Sequence, residues 1–229
     1  MSGLSVLFIG GTGIISSACT QRALDIGMDV FVLNRGTSKT RPAPDQCQLL
    51  VADIRDPEAM RAAVGDREFD VVADFRAFTP ADVQSRLDLF RGRMGQYVFI
   101  SSASAYQTPP GRLPVVESTP LRNPFWQYSR DKIACEDLLV KAYRDQGLPA
   151  TIVRPSHTYD KTLLPFDGGW TVVDRMRRGA EVVVHGDGTS LWTLTHHTDF
   201  AHAFVGLLGH PAAIGDSFHI TSDEWLTWN

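Results

Sequence analysis

Residues 4–16 read LSVLFIGGTGIIS, a short apolar run followed by a glycine-rich turn. The run has the length and composition of a buried strand, and residues 13–26 have the length of a helix. A turn between the two lets the backbone approach a pyrophosphate, which the free N–H groups at the helix N-terminus attract. The segment therefore predicts a dinucleotide-binding turn, although a plain strand–turn–helix can use the same residues. The expected contacts are Gly10, Thr12, Gly13, Ile14 and Ile15.

The alternation of strand and helix continues as far as residue 155. Apolar runs predict further strands at 30–33, 48–51, 69–73, 97–100 and 151–153. Helices are expected after Asp56, a helix cap that precedes Pro57, and at about 81–91 and 125–146. Continuous apolar strands that alternate with helices are typical of a parallel sheet with helices on both faces. We therefore predict an α/β fold, a Rossmann-type doubly wound parallel sheet.

The pattern changes in the last third of the chain. Helices are expected at about 169–178 and 198–208, and strands at 181–184 and 217–220. We assign residues 1–155 to a dinucleotide-binding domain and residues 156–229 to a smaller substrate-binding lobe. The chain stops where the pattern predicts another helix, so we expect this lobe to be incomplete, in a fragment or in a natural short form.

Composition narrows the classes of function. The 229 residues include 22 Lys and Arg against 26 Asp and Glu, a net charge of −4. An acidic chain is poorly suited to nucleic acids and to anionic membrane surfaces, and no apolar stretch approaches the ~20 residues of a membrane span. The three cysteines lack paired spacing, and His197 and His202 are poorly spaced for a helical metal site. We expect a cytoplasmic protein with a small-molecule substrate, and no metal, nucleic-acid or membrane partner.

The end of the second predicted strand bears on the choice of cofactor. Asn34-Arg35-Gly36 follows this strand without the carboxylate that binds the ribose hydroxyls of NAD. Arg35 can pair with a 2′-phosphate, which favours NADP over NAD. The alternatives for Arg35 are stacking on adenine and simple exposure to solvent. Asn34 is expected to contact the cofactor, as are Asp53 and Ile54 at the adenine, unless Asp53 is only a turn residue.

A tyrosine and a lysine four residues apart indicate acid–base chemistry. Tyr128 and Lys132 fall on one face of a predicted helix, and Ser102 lies just beyond a strand end, at the sheet edge where such folds bind ligands. A phenol is protonated at neutral pH, and a nearby ammonium would lower its pKa. We predict that Tyr128 exchanges a proton with a substrate oxygen held by Ser102. The alternative is a packed tyrosine beside a solvated lysine. Glu136, one turn further, is expected to be solvated or paired locally.

These segments together resemble the extended short-chain dehydrogenases/reductases, specifically the NAD-dependent epimerase/dehydratase family. The resemblance runs from residue 4 to at least residue 220. It rests on five motifs: GGTGIIS (10–16), VADIRD (51–56), VFISSASAY (98–106), YSRDK (128–132) and VRPSHTY (153–159).

The resemblance implies an activity and the residues that perform it. Ser102, Tyr128 and Lys132 match the catalytic positions of the family, and Lys132 also matches the residue that binds the nicotinamide ribose. Further cofactor contacts are implied for Phe75, Arg76, Ala77, Ser101, Tyr128 and Pro155. The implied function is NAD(P)-dependent oxidoreduction, epimerisation or dehydration of a small, sugar-like hydroxy or carbonyl compound, and a homodimer is compatible with it.

Three positions depart from the family pattern. His157 stands where nucleotide-sugar epimerases have asparagine, Asp160 stands in place of glycine, and Trp192 follows Gly186-Asp187-Gly188 where a phosphate-binding arginine is usual. Since an indole cannot pair with a diphosphate, a less charged substrate is expected. Its predicted contacts are Ser104, His157, Tyr159 and Trp192. For His157 and Trp192, packing within the lobe is the alternative.

A second hypothesis is that the protein is not an enzyme. Some relatives of this fold bind RNA, and the chloroplast stem-loop-binding proteins have a similar ending to the second strand. The alternative is therefore a non-catalytic dinucleotide-binding or RNA-binding protein. Tyr128, Lys132 and Ser102 favour the enzyme, and the net charge of −4 disfavours RNA binding.

Overall fold

The computed structural model describes residues 3–229 and is built on one seven-stranded parallel sheet and a small two-stranded one. The strands are β1 (Ser5–Ile9), β2 (Asp29–Asn34), β3 (Gln48–Val51), β4 (Phe69–Asp74), β5 (Met94–Ile100), β6 (Ala150–Pro155), β7 (His157–Tyr159), β8 (Leu194–His196) and β9 (Ser217–Ile220). The helices are α1 (Ile14–Asp25), α2 (Pro57–Val64), α3 (Pro80–Phe90), α4 (Gln127–Gln146), α5 (Trp170–Arg177) and α6 (His197–Val205).

The order of strands in the large sheet is β3-β2-β1-β4-β5-β6-β9, with every neighbouring pair parallel. The chain adds β2 and β3 on one side of β1 and then returns to add β4 on the other side, so the strand order reverses at β1. Ligands of doubly wound sheets bind at such a reversal, outside the carboxyl ends of the strands. The predicted α/β doubly wound fold is confirmed.

Both faces of the large sheet are covered, which explains the continuous apolar strands. In β1, Leu7 and Ile9 face the core shared with α2, α3 and α4, whereas Val6 and Phe8 face the core shared with α1 and α6. All four side chains are fully buried. In a strand buried on both faces, apolar residues do not alternate with polar ones, because neither face meets water.

Most predicted elements lie within a few residues of the observed ones, but the strand predicted at 181–184 is wrong. These residues, all within the described part of the chain, form no regular structure, and Val183 is 98% exposed. Three consecutive valines, at 182–184, predicted a strand there, yet a strand also needs a neighbour to accept its hydrogen bonds. Sequence reasoning also missed β7 and β8, each of three residues.

Residues after 155 contribute to the large sheet as well as to a separate layer. The strand β9 pairs with β6 at the sheet edge, and α6 packs against α1 on one face. The small sheet pairs β7 with β8 in parallel. The division into 1–155 and 156–229 stays a prediction, with α6 and β9 packed on the first part. In residues 3–229, no helix combines the length and hydropathy needed to cross a membrane.

A buried ion pair joins α4 to β6. Glu136, expected to be solvated or paired locally, is instead 2% exposed and receives two hydrogen bonds from Arg154, at 3.1 and 2.6 Å. Arg154 also donates to the Tyr106 hydroxyl and to the Glu117 carbonyl, and the Ser101 hydroxyl donates to Glu136. The expectation for Glu136 is therefore wrong, because the partner is distant in sequence.

Replacing Glu136 with glutamine should strongly destabilise the fold. The substitution leaves the Arg154 guanidinium buried without a counter-charge, and breaking one partner of a buried pair costs about 3–5 kcal/mol. We expect the free energy of unfolding in urea to fall by this order. Glu68→Gln, at an exposed position, is the matched control and should change it by less than about 0.5 kcal/mol. Equal stabilities of the two variants would contradict the role of the ion pair.

Candidate functional site

A cleft of ≈ 550 Å³ opens at the carboxyl ends of β1 to β5. Most of the predicted cofactor contacts line it: Gly10, Thr12, Gly13, Ile14, Ile15, Asn34, Arg35, Asp53, Ile54, Phe75 and Arg76. Sequence reasoning missed six lining residues: Ser16, Thr37, Ser38, Arg55, Ile100 and Thr158. Arg55 and Thr158 lie inside the motifs quoted above, whereas Thr37 and Ser38 belong to a loop without a recognisable pattern.

Two glycines of the turn after β1 are required by its geometry. Gly10 has a φ of +113° and Gly11 a φ of +55°, values that side chains rarely adopt. A Cβ on Gly11 would also lie 2.6 Å from a Val32 methyl carbon. Gly13 has an ordinary φ of −79°, and a Cβ there would meet only the Ser16 hydroxyl, at 3.1 Å. The turn therefore leaves open space over Gly13, at the N-terminus of α1.

Side chains from two elements hold this turn in place. The Thr20 hydroxyl donates to the Gly11 carbonyl at 2.9 Å, and the Asn34 amide donates to the Gly10 carbonyl at 3.2 Å. The Gly13 N–H donates to the Ser16 hydroxyl at 2.7 Å. The following N–H groups, at the start of α1, have no partner within the helix and are available to an anion. Asn34 thus supports the turn in addition to lining the cleft.

The far end of the cleft, formed by Arg35, Asp53 and Arg55, carries mixed charge. Asp53 accepts two hydrogen bonds from the Arg55 side chain, at 3.1 and 2.7 Å, and these hold the pKa of the Asp53 carboxyl well below its usual value. Arg35 is exposed beside them and contributes to the same lowering. Two guanidinium groups against one carboxylate leave this end of the cleft positive.

A buried aspartate that sequence reasoning missed shapes the loop after β4. Asp74 is fully buried and accepts hydrogen bonds from the N–H groups of Arg76 and Ala77, at 2.7 and 2.9 Å. Its other oxygen faces the Tyr97 hydroxyl at 3.1 Å and the Arg86 guanidinium at 3.5 Å. Since Asp74 continues an apolar strand, its only sequence signal was a polar residue at the strand end.

The ammonium of Lys132 lies buried at the carboxyl edge of the sheet. Its Nζ donates to the carbonyls of Ala77 and Ile100, both at 2.7 Å. It also lies 4.8 Å from the centre of the Phe78 ring and 5.7 Å from that of Tyr128. Two of its three hydrogens are used, which leaves one for a ligand. Burial lowers the pKa of Lys132 to about 8.

The phenol of Tyr128 is harder to ionise than the sequence indicated. Burial raises its pKa above the usual value, and the Ser102 hydroxyl only partly opposes this. The expectation that Lys132 brings the phenol pKa down is wrong, because burial of the phenol is the dominant influence and raises that pKa. The side chain of Tyr128 packs near Trp126 and Phe78, with ring centres 4.8 and 6.4 Å away. At neutral pH the phenol therefore carries its proton.

A chain of hydroxyl groups runs beside the tyrosine. The Ser102 and Ser104 hydroxyls are 2.9 Å apart, and Ser129 donates to Ser104 at 2.9 Å. The Asn123 amide donates to the Ser104 carbonyl at 2.9 Å. Ser102 and Ser104, predicted in different roles, are thus brought together.

Other predicted contacts lie outside the cleft lining. The Ser101 hydroxyl is buried on Glu136, Ala77 is buried and offers its carbonyl to Lys132, and Pro155 ends β6. Ser101 and Ala77 are 1% and 0% exposed, and their N–H groups already donate to the Val153 carbonyl and to Asp74.

The predicted substrate residues of the second lobe form two aromatic groups. The ring centres of His157 and Trp192 are 5.2 Å apart, and Trp228 packs 5.6 Å from Trp192. Tyr159 packs instead on His196, at 5.3 Å. Burial lowers the pKa of His157. Across residues 3–229 no group of three or more His, Cys, Asp or Glu side chains could hold a metal ion.

The cleft fits a dinucleotide. It combines a sterically required glycine turn, N–H groups at the start of α1 that have no partner within the helix, and a positive far end. A strand–turn–helix without a ligand would not require this combination of features. The other end of the cleft reaches Ile100, whose carbonyl accepts a hydrogen bond from Lys132.

Known proteins share this fold and sequence pattern. The family model described as NAD dependent epimerase/dehydratase family matches residues 6–221. The 2'-dehydrokanamycin reductase of Streptomyces kanamyceticus is 29% identical over 232 residues, covering 98% of this chain and 64% of that protein. The chloroplast stem-loop binding protein of 41 kDa b of Arabidopsis thaliana is 25% identical over 236 residues, covering 98% of this chain and 60% of that protein. The chain thus spans less than two thirds of either relative.

A solved structure gives the same architecture. The dTDP-glucose 4,6-dehydratase of Bacillus anthracis, in complex with NAD, superposes with a TM-score of 0.82 at 19% identity. The superposition covers 99% of this chain and 78% of that one. At this level of identity the likeness shows the fold.

The buried ammonium of Lys132 should titrate at an unusually low pH. Burial disfavours the charged form, so the group should lose its proton as the pH rises through about 8, whereas an exposed lysine does so near 10.4. The chain has four lysines, so NMR of lysine labelled at Cε can resolve them. One signal should titrate near pH 8 and be missing in Lys132→Met. Four signals titrating above pH 10 would contradict the burial of the charge.

Proposed function

The chain belongs to the NAD-dependent epimerase/dehydratase family, and on this premise we propose that it reduces a ketone of a small, sugar-like compound with NADPH. The observation that carries the proposal is the arrangement at the carboxyl edge of the sheet. Ser102, Tyr128 and Lys132 lie there beside the dinucleotide cleft, with Nζ of Lys132 bound to the carbonyl of Ile100, which lines that cleft.

The three side chains have distinct roles in this proposal. A bound dinucleotide would supply the hydride from its nicotinamide ring. The Ser102 hydroxyl would hold the substrate oxygen, and the Tyr128 phenol would give that oxygen a proton. Lys132 would place its third N–H on the nicotinamide ribose while its two carbonyl bonds fix the ammonium in position.

The resting protonation state of Tyr128 is the one that reduction requires. Because burial raises the pKa of the phenol, it holds at neutral pH the proton that reduction of a ketone requires. Oxidation of an alcohol would need the phenolate as a base, which this environment disfavours. The relative from Streptomyces kanamyceticus is named as a reductase, which agrees with this direction.

The substrate we propose carries no nucleoside diphosphate. Trp192 stands after Gly186-Asp187-Gly188, where an arginine would be expected to bind phosphate, and its ring packs on His157 and Trp228. Aromatic faces suit the C–H groups of a sugar ring better than a phosphate. The named substrate of the reductase relative, 2'-dehydrokanamycin, is in keeping with such a class.

NADP is the proposed cofactor in preference to NAD. Arg35 lines the cleft, is exposed, and stands beside an Asp53 carboxylate that Arg55 already neutralises. A 2′-phosphate there would meet a free guanidinium and no free carboxylate. A homodimer and a cytoplasmic location stay predictions.

RNA binding is the competing function, and the Arabidopsis thaliana relative gives it a specific basis. The net charge of −4 opposes it. Filter binding with structured RNA at two salt concentrations separates the two: the enzyme should retain little RNA at either concentration, and tight, salt-sensitive binding would favour the alternative.

Tyr128→Phe should nearly abolish turnover. The variant keeps the ring and loses the proton, and removing a general acid typically costs about 10²–10⁴ in rate. Affinity for the dinucleotide should hardly change, because the turn after β1 holds the phosphates. Tyr143→Phe, on the same helix and exposed, is the control. Initial rates of NADPH oxidation with a panel of keto sugars measure the effect. Near wild-type turnover in Tyr128→Phe would contradict the role of Tyr128 as the general acid.

Arg35→Ala should remove the preference for NADP. A hydrogen bond to a charged group at an exposed site contributes about 1.5 kcal/mol, or roughly tenfold in affinity. Calorimetric titration should show NADPH affinity falling by about this factor, with NADH affinity unchanged. Arg144→Ala, at an exposed position of α4, should leave both unchanged. A wild-type preference for NADH, or an unchanged ratio in Arg35→Ala, would show that Arg35 only stacks on adenine.

A further inference from the structure

Residues 35–46, in the loop between β2 and β3, contribute to one wall of the cleft. Thr37 and Ser38 of this loop line the cleft, and Thr158 of β7 lines it from the second lobe. The two walls come from segments far apart in sequence. A side chain that bonds to both walls therefore ties them together.

Arg41 joins these walls. Its Nη1 lies 3.0 Å from a carboxylate oxygen of Asp160, two residues beyond Thr158, and it also donates to the Thr162 hydroxyl. Its Nε donates to the Thr12 carbonyl of the phosphate turn, at 3.3 Å. One side chain thus connects the loop, the turn after β1 and the second lobe.

The loop depends on this side chain for its attachment. The other hydrogen bonds of residues 35–46 within the described chain are local, such as Gly36 N–H to Asn34 and Arg41 N–H to Ser38. In the same part of the chain, the Arg41 guanidinium makes the only hydrogen bonds from this loop to distant elements. A loop held at one point can open as a unit when that point is released.

The Asp160 carboxylate is also held in place by partners other than Arg41. One of its oxygens accepts from the Thr162 N–H, the Thr162 hydroxyl and the Leu163 N–H. These bonds, with Arg41, keep its pKa below the usual value although it is buried. The carboxylate therefore stays charged and fixed, whereas Arg41 is 25% exposed and can swing away.

We propose that Arg41 and Asp160 form a latch that closes the loop of residues 35–46 over the dinucleotide cleft. The latch rests on the proposed function, because it gates the cofactor of that function. Opening the ion pair would move Thr37 and Ser38 away from Thr158 and admit or release the dinucleotide. Closed, it would hold the cofactor between the two walls.

A gate and a direct contact differ in their kinetics. Weakening a gate speeds both association and dissociation, whereas losing a direct contact speeds dissociation alone. Stopped-flow fluorescence of NADPH and NADH with the full chain separates the two. Arg41→Gln should raise both rate constants by about tenfold, with a smaller change in Kd, as expected for loss of a hydrogen-bonded ion pair.

Asp160→Asn tests the other half of the latch without disturbing its anchor. The amide oxygen can still accept from Thr162 and Leu163, while the side chain loses the charge that holds Arg41. It should reproduce the effect of Arg41→Gln, and the double variant should add little to either single one. Arg178→Gln, which breaks an exposed ion pair with Asp174, is the control. Hydrogen exchange at residues 36–46 should quicken in both latch variants.

The outcomes separate the two proposals. Wild-type binding with rate constants unchanged in both latch variants overturns the latch alone. Faster hydrogen exchange without faster binding makes the ion pair a static attachment, and faster dissociation alone makes Arg41 a cofactor contact; either result overturns the latch. Failure of the wild-type chain to bind either dinucleotide overturns the proposed function and the gate together.

Discussion

Two buried charges on α4 must be satisfied where the parallel sheet ends, and this constraint organises the site. Lys132 and Glu136 lie one turn apart, and each is 2% exposed. A charge removed from water is tolerated only with good hydrogen-bonding partners. Lys132 finds them in the carbonyls of Ala77 and Ile100, and Glu136 finds them in Arg154 and Ser101. The helix and the ends of β4, β5 and β6 therefore fix one another.

The proposed chemistry would benefit from the same constraint. Because the ammonium is bound to two carbonyls, α4 cannot shift without leaving a buried charge unpaired, and Tyr128 on that helix is held beside Ser102. Asp74 fixes the loop that supplies the Ala77 carbonyl, through the N–H groups of Arg76 and Ala77. A site fixed in advance loses little entropy when the reacting groups must align. Stability and alignment come from the same hydrogen bonds.

The sequence predicted what depends on local pattern and missed what depends on distant partners. Continuous apolar strands predicted the parallel sheet, and the glycine turn with the Tyr128–Lys132 spacing predicted the sheet edge at which the cleft opens. Glu136 and Arg154 are 18 residues apart and Arg41 and Asp160 are 119 apart, so neither pair leaves a periodic signal. The strand predicted at 181–184 failed for the opposite reason, since its local pattern had no neighbouring strand to bond. The pKa of Tyr128 was misjudged because spacing places Lys132 nearby without showing how deeply the phenol itself is buried.

Two parts of the cleft, the end near Lys132 and the wall that includes residues 35–46, differ in how firmly they are held. This difference matches what the proposed function requires of each part. At the end of the cleft proposed to hold the nicotinamide, buried charges bind strand ends to α4, and several hydrogen bonds would have to break together for anything to move. At the opposite wall, residues 35–46 are attached to distant elements through one partly exposed arginine. Proton and hydride transfer require fixed distances, whereas a ligand enclosed on two sides requires a wall that yields. A sheet edge fixed by buried ions can tolerate one loose wall, because releasing Arg41 disturbs none of the bonds that position Tyr128 and Lys132.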